Sequence, residues 1–298
     1  MASFFETQVM PVAIRIDPRY FQICFLILFL GYGIIFLHWN PDLLHYTICI
    51  GGCLIFNIVF EWQRNHDIRR GAVLMQIRNW GLSSLITGLS LCLLLKTNHW
   101  YTSAFAVFFA VASKYVIRIK GRHIFNPSAF GIALTILVTR DAWLSPAQWG
   151  NAIALIFFII ILGIIVVTRV QKLDTSMAFL AGYCGLLYFR QVLVLGWPLD
   201  FFFHSISSGA LMLFSFFMIS DPKTSPSNAG GRILWALMIA VIAFYLSTFW
   251  YVNNAALWSL VIMAPSIIFI DRVFKSDRFD WKLSTISLPH IQKLKIRL

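Results

Sequence analysis

Charge is what this chain has least of: only 12% of its 298 residues are Asp, Glu, Lys or Arg, about half the share usual in soluble domains. No phosphate-binding glycine loop, zinc-binding helix motif or nucleophile elbow occurs, which removes the commonest signatures of nucleotide, metallopeptidase and hydrolase chemistry. The five cysteines, Cys24, Cys49, Cys53, Cys92 and Cys184, form no C-x-x-C pair. A zinc or iron–sulfur site within one chain is therefore not expected. Glu6, Pro11, Arg15 and Asp17 precede the first apolar run, so a cleaved signal peptide is not expected either. Nor does a ladder of carboxylates cross the apolar segments, so a proton relay built from this chain alone has little support. His38, His45, His99 and His204 lie near segment ends with no evident facing pair for haem.

What the chain has instead is apolar length. Hydrophobic residues make up 59%, the mean hydropathy is +0.77, and Ala152 to Thr168 carries no charge at all. Ten membrane segments are expected: about Tyr20–Trp39, His45–Glu61, Trp80–Leu95, Trp100–Ile117, Phe125–Thr139, Asn151–Thr168, Ser176–Leu195, His204–Ser220, Ile233–Val252 and Ala255–Ile270. The fold class is all-α integral membrane. A cytoplasmic lead-in (1–19) and a basic tail (272–298) are expected to flank one membrane domain (20–271).

The formal charge of +12 would suggest nucleic acid in a soluble protein. Here the cations sit in short loops, where they set topology, so no nucleic-acid partner is expected. With the N-terminus inside, every Lys and Arg except Lys96, Arg140 and Arg190 falls on the inner side, as the positive-inside rule requires. Both termini are thus placed in the cytoplasm, in what is expected to be a bacterial inner membrane. Arg190 lies within the seventh segment and is expected to snorkel outward past Gly196-Trp197-Pro198.

One stretch organises the rest. Met218-Ile-Ser-Asp-Pro-Lys-Thr-Ser-Pro-Ser-Asn-Ala-Gly-Gly-Arg232 packs turn formers between two apolar segments. Pro222 and Pro226 stop a helix, while Asp221, Thr224 and Ser225 can bond backbone groups that no helix satisfies. It reads either as a well-made loop or as part of a ligand site. Asn126-Pro127 raises the same choice: a capped helix start, or a half-helix whose N-terminus faces a polar ligand. Thr87-Gly88 and Ser208-Gly209 each precede an apolar run, five segments apart. Asn126-Pro127-Ser128 has a weaker echo in Ala264-Pro265-Ser266, also five apart. An odd separation reverses orientation, which suggests two inverted five-helix repeats with short or broken helices at their interface.

Three stretches, Phe125-Asn-Pro-Ser-Ala-Phe-Gly131, the run from Phe217 to Arg232, and Ser84-Leu-Ile-Thr-Gly-Leu-Ser-Leu-Cys-Leu-Leu94, together resemble the NqrB/RnfD family. Its members are the membrane subunits of sodium-pumping NADH:quinone oxidoreductase and of Rnf electron-transport complexes. The resemblance covers about Trp80 to Tyr251. It implies a subunit taking part in flavin- or quinone-linked electron transport, embedded in the lipid bilayer beside other membrane or redox subunits. Family members carry FMN esterified to a threonine of a Ser-Gly-Ala-Thr motif in the loop after the F-N-P helix. Here that loop, Arg140 to Asn151, has neither the motif nor a threonine. Covalent FMN is therefore not expected, and a non-covalent flavin (riboflavin or FMN) is the cofactor considered. In this the chain looks closer to shortened relatives such as the UnbU-like proteins of enediyne clusters. The candidate cofactor-binding residues are Thr87, Gly88, Asn126, Pro127, Ser208, Gly209, Asp221, Thr224 and Ser225, with Phe125, Phe130, Phe216 and Phe217 available for stacking. No catalytic or metal-ligating residue is nominated. The alternative is a transporter or channel for a small neutral solute using the same cavity.

Overall fold

The computed structural model describes residues 17–64, 70–119, 121–144, 160, 163–164, 167–168 and 172–275, with backbone only for 70–80. The sixth expected segment, 151–168, lies largely outside the described residues. The other nine correspond to helices: α1 (Pro18–Ile35), α2 (Leu43–Arg64), α3 (Arg70–Leu94), α4 (Trp100–Val116), α5 (Pro127–Thr139) and α6 (Leu173–Tyr188), then the pair α7 (Leu199–Ile206) and α8 (Gly209–Leu213), then α9 (Ala229–Phe249), and finally α10 (Ala255–Met263) with α11 (Ile267–Val273). The all-α membrane architecture expected from the composition is what the chain adopts. Among the described residues five helices are long and apolar enough to cross a bilayer, six if α7 and α8 with its extension count as one bent span.

Helix starts follow local chemistry. Asp17 accepts a hydrogen bond from the Arg19 backbone N–H at 3.0 Å ahead of Pro18. Asn126 does the same for Ala129 at 3.2 Å ahead of Pro127. Asn228 accepts from the backbones of Gly230 and Gly231 at 2.8 and 3.4 Å. In each case a short polar side chain satisfies donors that the helix itself leaves free.

In lipid, burying apolar surface between helices gains little, so close van der Waals packing has to hold the bundle. Small residues make that possible. A Cβ added at Gly131 on α5 would stand 2.7 Å from the Ala106 carbonyl of α4, and one at Gly88 on α3 would stand 2.8 Å from the Cys49 carbonyl of α2. Larger side chains lock the remaining crossings: Trp235 of α9, fully buried, donates its indole N–H to the Met263 carbonyl at 3.2 Å. Phe25 of α1 stacks on Phe217 with ring centroids 4.3 Å apart, tying the first segment to the eighth. In the first half α2 packs on α4 and α4 on α5; in the second, α6 packs on α9 and α9 on α10.

The two hydroxyl–glycine pairs behave differently. Helix α3 runs unbroken through Thr87-Gly88, and Gly88 serves the crossing with α2. The eighth segment breaks at Ser207-Ser208 with a bend of 52°, Gly209 opens α8, and Phe214–Met218 continues it as a π-helical turn. Two hairpins close the ends of the bundle: β1 (Leu95–Thr97) pairs antiparallel with β4 (Ala142–Leu144), and β2 (Arg118–Ile119) with β3 (Arg122–His123).

Candidate functional site

The turn after the eighth segment is held by three cations that come from three separate stretches of chain. Arg122, on β3, donates through Nε to the Lys223 carbonyl and through one terminal nitrogen to the Ser225 carbonyl. Its other terminal nitrogen reaches Asp271 of α11 at 3.1 Å. Lys172, just before α6, donates Nζ to the Pro226 carbonyl at 3.0 Å. Arg232 donates to the Ser227 carbonyl at 2.7 Å and pairs in fork fashion with Asp174 at 2.9 and 2.5 Å. A turn broken by two prolines has carbonyls that no helix satisfies, and charged donors meet that need more strongly than neutral ones. Inside the turn Asp221 accepts from the Lys223 backbone at 3.0 Å. The hydroxyls of Thr224 and Ser225 are buried with no hydrogen-bond partner among the described residues.

The F-N-P start meets this turn directly. Asn126 accepts from the Ser128 hydroxyl at 2.8 Å and donates to the Met218 carbonyl at 3.4 Å. The second signature stretch therefore rests on the start of α5 through both Asn126 and Arg122.

Cations crowd this end of the bundle. Packing around the half-buried His123 ring pushes its pKa down to about 3, with Lys223, Lys114, Arg118 and Arg122 adding to the effect. The imidazole is neutral in any ordinary buffer. Burial brings Lys172 down to about 7, helped by Arg232 and Arg122.

The nine candidate residues do not share one cavity. Thr87, Asn126, Pro127 and Asp221 line an inner one of about 80 Å³, together with Ser83, Phe217 and Met218. Ser208 lines an outer pocket of about 370 Å³ with Tyr183, Ser205, Phe214, Met218 and Ser247. Gly209, Thr224 and Ser225 are buried in the surrounding structure, and Gly88 is committed to its helix crossing. Phe125 and Phe130 lie against each other, centroids 4.8 Å apart. Ligand pockets for drug-sized molecules generally start near 300 Å³. The inner cavity is too small for an isoalloxazine ring and takes only a few water-sized groups; the outer pocket has the room. Met218 lines both, so the π-helical turn is the partition between them.

Sequence reasoning missed two features. Arg122, Lys172 and Arg232 read as topology markers, and nothing in their spacing shows that they converge on one turn. Asp141 reads as a plain loop residue, yet it accepts from Asn98 at 2.9 Å, Thr102 at 2.6 Å and His99 at 3.0 Å. Hydrogen bonds from Thr102, Asn98 and His99 hold its carboxyl down at about 2. That hub pins the loop after α5 to the start of α4. Arg190, for its part, rests on the Phe249 ring with its guanidinium carbon 4.7 Å from the centroid. No group of three or more metal-type side chains occurs among the described residues.

These features define a class: a polytopic helical membrane protein in which a broken span ends in a polar turn clamped against a proline-started helix. A sequence model of the NQR2, RnfD, RnfE family matches residues 141–280, a range that includes the broken span and the clamped turn. The chain is also 34% identical over 64 residues to the ion-translocating oxidoreductase complex protein RnfD of Alcanivorax borkumensis. That alignment covers 22% of this chain and 19% of the relative's length. The resemblance to the NqrB/RnfD family is borne out by both matches.

Proposed function

We propose that this chain is a membrane subunit of an ion-translocating oxidoreductase complex and takes part in flavin- or quinone-linked electron transport. The observation that carries this reading is the convergence of the two family-like stretches, 125–131 and 217–232, on each other through Asn126 and Arg122. Residues far apart in sequence spend their polar groups on holding one turn between two cavities, which a purely lipid-facing loop has no need to do. The repeated neighbour pattern, second on fourth on fifth and seventh on ninth on tenth, supports two inverted repeats meeting at this turn.

A planar redox ligand, held without a covalent link, belongs in the outer pocket. Ser208 and Ser247 offer hydroxyls there, and Tyr183 and Phe214 offer aromatic faces. When bound, such a ligand supplies the electron-accepting chemistry; the chain's residues orient it and exclude water. At the inner cavity Thr87, Asn126 and Asp221 present a hydroxyl, an amide and a carboxylate at a size suited to water or a small ion. Expression of a tagged chain in its native host, with gentle detergent purification, tests the assignment. Co-purifying redox subunits and a yellow chromophore released by acid support it; a colourless chain without partners refutes it.

The second reading is a channel or transporter for a small neutral solute. The observation favouring it is that Met218 alone among the named residues of the π-helical turn faces both cavities, with Phe216 and Phe217 on one side and Phe214 on the other. Solute uptake by the colourless chain in liposomes identifies that case.

A further inference from the structure

We propose that the pocket between the β2–β3 hairpin and α11 binds the headgroup of an anionic phospholipid. It has a volume of about 220 Å³ and lies apart from the outer pocket, sharing only His123 with the inner cavity. Its wall is apolar, made by Ile119, Ile124, Ile267 and Ile268, and its rim is basic, made by Arg272 and Lys275.

The charges in it do not cancel. Asp271 is already engaged by Arg122 at 3.1 Å and by the Ser227 backbone N–H at 2.9 Å. The neutral His123 adds no charge of either sign. Arg272 and Lys275 have no acidic partner among the described residues. Arg272 instead lies over the Phe269 ring at 5.7 Å. The pocket therefore offers two positive charges beside a hydrocarbon wall.

Its depth fits a headgroup. Phe269 is 65% and Val273 76% exposed on the same short helix, a surface tolerable against acyl chains and not against water. Arg272 and Lys275 begin where that surface ends. A basic pocket between helix ends at the loop level is the arrangement that binds acidic lipid headgroups. The isoleucines accept the first methylenes of the chains, and the two cations accept the phosphate. A soluble phosphate has no use for the apolar wall, which is why a lipid is the occupant.

The test uses the full-length protein in nanodiscs and counts retained lipid by native mass spectrometry, with phosphatidylglycerol and phosphatidylcholine of identical chains in competition. The wild type is expected to retain phosphatidylglycerol preferentially. At about one kilocalorie per basic residue, the double variant R272Q/K275Q should bind it roughly 30-fold more weakly, while the charge-preserving pair R272K/K275R should retain it. Equal retention by wild type and R272Q/K275Q overturns the proposal, as does wild-type indifference between the two lipids. Displacement of the bound lipid by millimolar inorganic phosphate overturns the lipid assignment in favour of a soluble anion. Both side chains are exposed, and a monodisperse elution profile shows that the variants fold.

Discussion

Arg122 is the residue on which the arrangement of the turn depends most, and replacing it with methionine separates its charge from its bulk. Three contacts are lost: the carbonyls of Lys223 and Ser225, and Asp271. Each hydrogen bond from a charged donor is worth about 1.5 kcal/mol at the lower end. The ion pair is discounted to about 0.5 kcal/mol, since the Arg122 and Asp271 side chains are 19% and 27% exposed. Together these give roughly 3.5 kcal/mol, and the loss strands two carbonyls and one carboxylate. Arg122→Lys keeps the charge but offers a single point of donation, so it should recover about a third of the loss. Thermal unfolding in detergent, followed by the fluorescence of the buried Trp235, reads the effect as a large drop in Tm for Arg122→Met and a smaller one for Arg122→Lys. A double-mutant cycle with Asp271→Asn isolates the ion pair, for which a coupling of about 0.5 kcal/mol is expected. An Arg122→Met protein that melts with the wild type, or ranks above Arg122→Lys, would refute the clamp.

Asp141 gives a pH signature at the opposite end. Its carboxyl is held at about 2 in the fold against roughly 3.9 when unfolded. A group depressed on folding contributes stability that is complete above the unfolded value and disappears as pH falls through the folded one. Stability should therefore decline between about pH 4 and pH 2, and Thr102→Val should flatten that decline in acid-titrated melting curves; an unchanged profile in the variant counts against the hub. Gly131→Val should separate α4 from α5, because its first side-chain carbon already meets the Ala106 carbonyl at 2.7 Å. A cost of about 2–3 kcal/mol is expected from such overpacking, measured by the same melts, and a neutral result would place the helices further apart than described.

Much of this architecture was legible because a bilayer leaves few choices. Apolar runs of the right length must be helices, and the loop cations order them. Asn126-Pro127 and Asn228-Ala-Gly-Gly231 announced helix starts through local chemistry alone, and both are capped as that chemistry dictates. The break at Ser207-Ser208 was harder to read, since Thr87-Gly88 carries almost the same residues in an unbroken helix. The difference lies in neighbours: Gly88 has the α2 backbone against it, a fact of tertiary packing that no single stretch encodes. For the same reason the nine candidate residues looked like one site and proved to be divided by the turn at Phe214–Met218. Arg122, Lys172 and Arg232 were visible only as positive charges. That they converge on the carbonyls of Lys223, Ser225, Pro226 and Ser227 depends on helix ends brought together by the whole bundle.

The contact between Asn126 and Met218 is the most direct measure of the account, because it joins the two family-like stretches across the molecule. With the five native cysteines replaced, Asn126→Cys and Met218→Cys should be bridged rapidly by a short bis-maleimide in membranes, whereas Asn126→Cys paired with Asn254→Cys should not. Bridging of the second pair with none of the first would contradict the joined turn, and with it the site.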